Sequence, residues 1–271
     1  MILTVLVSTI DSGINRVPNI ILGARTDVNY IVIHQITDSI YKNIPGELLR
    51  EDVKIFQITG KGLTRSRNYG IMQASGDIAI IADDDVSYRN EYFDLIIETF
   101  RIERPDVALF KIKTREGERE YIDYPKLPFK VTIENIHSPS SIEITFNISK
   151  IRNIIKFDER FGLGTFLNGG GELFFITDAI KHGLNVRYYP FYVVIHPQES
   201  QIMKYPQYHK RRVKVVGAIY ARKYGLMAIP RIFIRSLMLI PELFKTSKSP
   251  LAYLYQMYTG CFYILLNRQG L

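Results

Sequence analysis

The chain has 271 residues, 46% of them apolar and 23% charged, which excludes the disordered and fibrous classes and allows one large α/β domain or two small ones. A single cysteine, Cys261, rules out an internal disulfide framework and a cysteine zinc site, and points to a reducing compartment. The net charge of +8 is uneven: from Met203 onward twelve Lys or Arg face one acid, Glu242, giving +11, while residues 1–202 carry −3.

Met1 to Thr9 is apolar, has no basic leader and runs into Asp11, so it is expected to be a first strand rather than a signal peptide. Further strands are predicted at Tyr30 to Gln35, Val53 to Ile58, Asp77 to Ala82 and Val107 to Ile112. Helical patterns alternate with them at Leu63 to Ala74 and at Glu91 to Arg101, where Phe93, Ile96, Ile97 and Phe100 share one face. This is the βαβ signature of a mostly parallel sheet flanked by helices. After a proline-punctuated stretch, Ser141 to Ile148 alternates as a half-buried strand, Leu173 to His182 reads as a helix, and Asn185 to Ile195 as one or two strands. The change in charge and composition puts a boundary near Ser200, giving a catalytic body over 1–200 and a basic, aromatic helical tail over 201–271.

Ile78-Ala79-Ile80-Ile81-Ala82 reads as a strand buried on both faces, and it ends in Asp83-Asp84-Asp85. If the extended geometry continues, Asp83 and Asp85 point to one side and need a cation. Hard oxygen ligands favour Mg2+ or Mn2+, which bind one or two carboxylates together with substrate phosphates. The alternative is a solvated acidic turn. Upstream, Gly60-Lys61-Gly62 opens a helix whose N–H groups, with Lys61, Arg65 and Arg67, suit an anion. Phosphate or nucleotide contact is expected of Lys61 and Arg67; a solvated basic first turn is the alternative.

Taken in order, the first strand, the second strand followed by Asp38, the run Gly60 to Asn68, Ala74-Ser75-Gly76-Asp77 and Ala82 to Asp85 resemble family 2 glycosyltransferases. The resemblance covers roughly residues 1–200 and implies the GT-A fold, with a nucleotide-diphosphate sugar as donor. It also implies that Thr9, Asp38, Lys61, Arg67, Asp83 and Asp84 bind the nucleotide sugar, Asp83 at the ribose, and that Asp85 holds the metal bridging the diphosphate. The family's usual pair of acids ending the second strand is reduced to Asp38 here. His34 reads as an ordinary, hydrogen-bonded histidine.

Phe157 to Gly162, then Gly169-Gly170-Gly171-Glu172, resembles the family's path to its acceptor-activating base, which makes Glu172 that base and implies inversion at the anomeric carbon. Leu173 stands where a second acid is usual. His196, at a strand end before Pro197, is a metal or diphosphate ligand in some related enzymes and a structural histidine otherwise. His209 to Arg212 either closes over the diphosphate or forms a solvated basic face.

In the tail, Arg231 and Arg235 lie four apart on one helix face, and Ser249 to Asn267 is uncharged but interrupted by tyrosines. That stretch suits an interfacial seat at an anionic membrane better than a crossing, although packing on the body or in a homo-oligomer is the plain alternative. The expected protein is cytoplasmic and peripheral at the inner face of the membrane. It would transfer sugar to a saccharide or lipid-linked acceptor in bacterial surface polysaccharide synthesis. The rivals are a sugar-phosphate nucleotidyltransferase, disfavoured because Ser8 to Gly13 after the first strand has no cation before Arg16, and a non-catalytic nucleotide- or sugar-binding module. Nucleic-acid binding by the tail is weaker still.

Overall fold

The apolar runs become strands whose alternate side chains serve two different cores. In the computed structural model, which describes residues 1–136, 139–197 and 206–267, eight strands form one sheet. They are β1 (Leu3–Ile10), β2 (Val28–Ile36), β3 (Val53–Thr59), β4 (Ile78–Asp83), β5 (Val107–Lys113), β6 (Phe129–Lys130), β7 (Ile144–Asn147) and β8 (Val186–Ile195). Their order is β3-β2-β1-β4-β7-β5-β8-β6. β3, β2, β1 and β4 run parallel, as do β5 and β8. β7 is antiparallel to both β4 and β5, and β6 to β8.

The strand period of two divides the buried side chains. Val5, Val7, Ile78, Ile80 and Ala82 enter one core with α2 (Asn90–Glu103), while Leu6, Ala79 and Ile81 enter the other. That second core also holds Ile71 of α1 (Leu63–Gln73) and Phe175 of the helix Gly171–Lys181. The parallel strands thus aim their carboxyl ends, Thr9 and Asp83 among them, at one edge, where ligands bind in open α/β sheets.

The contacts divide the chain into two compact units: Met1–Asp158 with Gly171–Gln198, and Glu159–Gly170 with Glu199–Leu271. The boundary expected near Ser200 lies outside the described residues. The short α3 (Ile148–Ile151) and α4 (Gly171–Lys181) belong to the first unit. The second unit contains α5 (Lys210–Tyr224), α6 (Ala228–Met238), α7 (Ile240–Lys245) and α8 (Pro250–Leu266). α5 and α8 meet backbone to backbone, because a Cβ at Gly217 would collide with the Met257 carbonyl and one at Gly260 with the Lys214 carbonyl. Tyr253, Met257, Cys261 and Ile264 give α8 one buried stripe, and Arg160 donates to the Asn267 carbonyl at its end, 2.7 Å away. No described helix is long and apolar enough to cross a membrane.

Two local expectations change, and a segment to which the sequence assigned no element takes a definite form. The alternation over Ser141 to Ile148 yields only β7, since a 3-10 turn occupies Ser141–Glu143 and α3 begins at Ile148. The reason is local: Ser140 and Glu143 form a capping box, which holds that turn out of the sheet. The segment Asp11–Asn19 after β1 is a 3-10 helix that inserts Ile14 and Val17 into the first core. β4 ends at Asp83, so Asp84 and Asp85 stand in a turn rather than continuing the strand, and the three carboxylates part company.

Candidate active site

The loop from β3 to α1 turns through Gly60 and Gly62, both at positive φ (95° and 146°), which a side chain would strain. Lys61 between them is exposed, as is Arg65, whose Nη1 donates to the Thr59 carbonyl at 3.2 Å. Two residues later, Arg67 points inward and is only 3% exposed. Its Nη1 donates to Glu172 Oε1 at 2.6 Å, and its Nη2 donates to Asp83 Oδ1 at 2.9 Å and Ser141 Oγ at 2.7 Å. Burial disfavours the charged guanidinium, but the Asp83 and Glu172 carboxylates outweigh it and raise the Arg67 pKa. Glu172 lies in the first turn of α4, a position that suits a carboxylate.

Asp84 turns toward β1. Thr9 Oγ1 donates to its Oδ2 at 2.5 Å and Arg16 Nη2 to its Oδ1 at 2.6 Å. Burial raises the Asp84 pKa, and the bonds from Thr9 and Arg16 pull against that rise. A side chain at Gly13 would strike both the Asp84 carboxylate and the Thr9 hydroxyl, so the turn after β1 has room for this carboxylate only because residue 13 is glycine.

Asp85 faces a different partner. Its Oδ1 lies 3.3 Å from His196 Nε2, at the end of β8, and its side chain is 51% exposed. The bond from His196 lowers the Asp85 pKa. Burial works against protonation of His196, but Asp85 reverses this and the imidazole pKa rises, Asp83 contributing as well. A cleft of about 230 Å³ opens beside Asp84 and Asp85, with Arg16, Asn19, Arg115 and Pro197 in its wall.

Asp38 caps the 3-10 turn Ser39–Tyr41, accepting from the Ile40 N–H at 3.1 Å, and is exposed at the end of β2. His34 is fully buried, with Nε2 2.9 Å from the Asp11 carbonyl, an ordinary satisfied histidine as its place in a buried strand suggests. The structure thus gathers Arg67, Asp83 and Glu172 into one cluster, joins Thr9 to Asp84 in a second and Asp85 to His196 in a third. For Lys61 and Asp38 it gives exposed positions at neighbouring strand ends.

Two participants were not anticipated as site residues. Ser141 braces Arg67 and lies 3.4 Å from Asp83 Oδ2; its signal was the Ser-x-x-Glu spacing from Ser140 to Glu143. Arg16 has no comparable signal, because only the fold brings it to Asp84.

Among the described residues no group of three or more His, Cys, Asp or Glu side chains surrounds a single point. Asp85 offers a hard oxygen that fits Mg2+ or Mn2+ when substrate phosphates and water complete the coordination, and the imidazole nitrogen of His196 favours Mn2+ of the two.

Comparison with known proteins agrees with this architecture. No curated protein matches the chain. Among solved structures, residues 1–349 of TarS from S. aureus superpose with a TM-score of 0.58 at 16% identity, over 82% of this chain and 65% of that one. The same TarS fragment in complex with UDP-GlcNAc gives 0.58 at 19% identity, over 82% and 66%. A longer TarS chain gives 0.56 at 17%, over 82% and 40%, so this chain spans just under two thirds of the TarS 1–349 chains and under half of the longer one. At such identities the likeness is one of fold, and it bears out the GT-A expectation. The model of the glycosyl transferase family 2 matches residues 34–172, from near the end of β2 to Glu172 and just over half of the chain, and the chain therefore belongs to glycosyl transferase family 2.

Proposed function

We propose that the chain is an inverting, metal-dependent glycosyltransferase that moves a sugar from a nucleoside diphosphate to a hydroxyl of a saccharide or lipid-linked acceptor, in the synthesis of a bacterial surface polysaccharide. The observation that carries this reading is Arg67, a buried cation that ties Glu172 to Asp83 at the carboxyl edge of the sheet. In transfer, the acceptor oxygen forms a bond to the anomeric carbon as the bond from that carbon to the diphosphate oxygen breaks. The electron pair leaves with the phosphate, and the acceptor proton must go to a base. Glu172 takes it in this reading. Attack from the face opposite the diphosphate inverts the centre.

Arg67 acts here as a positioning residue, since its fork is directed at Glu172, Asp83 and Ser141. Asp83 and Asp38, with Lys61 and Thr9 beside them, provide the donor's polar contacts at the ends of β4, β2, β3 and β1. Asp84 supports that edge through Thr9 and Arg16. A divalent ion held by Asp85 and His196 would neutralise charge on the departing diphosphate. Because one similar TarS structure contains UDP-GlcNAc, uridine diphosphate sugars are the first donors to try.

Ten Lys and Arg against the single acid Glu242 in residues 206–267 support a cytoplasmic enzyme seated on an anionic inner membrane face, where lipid-linked acceptors reside.

A panel of nucleotide sugars with Mn2+, read as thermal stabilisation, tests the donor: ligand at a hundred times its dissociation constant should add about 2.7 kcal/mol. With the donor in hand, Glu172→Gln should bind it as the parent does yet lose roughly 10²- to 10⁴-fold in transfer. Retained turnover would place the base elsewhere, and a panel without any hit would remove the donor class.

A further inference from the structure

α6 is amphipathic in the wrong sense for a helix in water. Ala228, Ile232 and Ser236 form its buried stripe, one residue per turn. The opposite side is almost wholly apolar: Phe233, Ile234, Leu237 and Met238 are 48%, 57%, 50% and 76% exposed. At 3.6 residues per turn, these four with Pro230 span an arc of roughly 140°. The turn leading into the helix adds Leu226 and Met227, 64% and 59% exposed. Single exposed apolar residues need no explanation, but a contiguous outward stripe does.

Cations border that stripe on one flank. Arg231 and Arg235 come next around the helix, and tyrosines accompany both. The Arg231 guanidinium lies over the Tyr224 ring at 4.7 Å, and Arg235 lies 3.4 Å from the hydroxyls of Tyr220 and Tyr253. Lys245 and Lys248 are exposed beyond the helix. An apolar stripe edged by arginine and tyrosine fits the boundary between lipid headgroups and acyl chains, with the helix lying in the plane. A second copy of the chain is a poorer occupant, because a self-complementary contact would set the same arginines against each other.

We infer that the outward face of α6 is the membrane seat of this protein, with Phe233, Ile234, Leu237 and Met238 on the acyl side of an anionic bilayer and Arg231 and Arg235 at its phosphates. This rests on the membrane reading above and narrows it to one element. It puts α6 ahead of α8, whose exposed Leu251, Tyr255, Phe262 and Leu266 also form an apolar face but have no Lys or Arg on the helix to edge them.

The test uses the full chain and two kinds of vesicle, phosphatidylcholine alone and phosphatidylcholine mixed with phosphatidylglycerol. The parent should sediment with the mixed vesicles, less so as salt is raised, and hardly with the neutral ones. Ile234→Glu with Leu237→Glu should weaken binding by roughly tenfold or more while leaving the melting curve and the elution volume unchanged. Arg231→Gln with Arg235→Gln should flatten the salt dependence. If the parent binds mixed vesicles and the double glutamate variant binds equally well, the α6 assignment fails while the membrane reading stands on another element. If the parent binds neither kind, both fail. A parent dimer that the glutamates split, without vesicle binding, would overturn the proposal in favour of a contact between copies.

Discussion

Asp83 and Asp85 stand two residues apart and are compensated in opposite ways. Asp83 meets Arg67, a permanent cation whose side chain is 2% exposed and which also holds Glu172. Asp85 meets His196, a group that can lose its charge, and is itself half exposed beside a cleft. The first carboxylate is fixed in a network built by α1, α4 and the turn before β7. The second has His196 as its hydrogen-bond partner and keeps half of its side chain open beside the cleft. The difference teaches how a run of like charges is accommodated: Asp83 and Asp84 are each tied to a guanidinium, whereas Asp85 leans on a group that can lose its charge. Asp84 belongs with the fixed group, through Thr9 and Arg16.

The sharpest way to break the contrast is to remove the buried cation. Arg67→Ala leaves Asp83 and Glu172 without their shared cation, and loss of one member of a buried pair costs about 3 to 5 kcal/mol. Urea unfolding should show that loss, and transfer should fall at least as far as in Glu172→Gln. Arg67→Lys should recover part of the stability but not the two-sided fork. Stability unchanged in Arg67→Ala would mean that the cluster is not coupled. On the other side, Asp85→Ala should leave unfolding within about 1 kcal/mol of the parent, because the Asp85 carboxylate is half exposed and its partner His196 can shed its charge. Its effect should appear in donor affinity, with the gain on adding Mn2+ abolished. Equal affinity with and without the ion in both parent and variant would remove Asp85 and His196 from metal binding.

The framework was legible because its signals are local. The apolar run Ile78 to Ala82 predicts β4, and the glycines before Leu63 predict where α1 starts, since each depends on neighbours in sequence. The 3-10 helix Asp11–Asn19 was not legible: Gly13 and Pro18 break any helical period, and Ile14 and Val17 are inward only because the fold closes over them. Nor does any spacing announce that Arg67 reaches Glu172, 105 positions on, or that Arg16 reaches Asp84, 68 away. The sequence shows which residues can carry charge at the sheet edge; which charges neutralise one another is decided by the chain crossings.

The smallest effect concerns the brace behind the fixed side. Glu143 closes the capping box that holds Ser141 against Arg67, accepting from the Ser140 N–H at 2.8 Å and the Tyr124 hydroxyl at 2.5 Å. Burial nonetheless pushes its pKa up to about 7, the bonds from Tyr124 and Ser140 opposing the rise only in part. A carboxyl whose folded pKa lies above its unfolded value near 4.5 binds its proton more tightly when folded. Its contribution is complete below the unfolded value and is lost as pH rises through about 7. The parent should therefore lose stability relative to Glu143→Gln between about pH 4.5 and pH 7, by on the order of 2 to 3 kcal/mol at most, and run parallel to it above. Urea unfolding of both proteins across that range measures the difference. A constant gap would mean that Tyr124 and Ser140 hold Glu143 ionised throughout, and the brace behind Arg67 would then be a charged one.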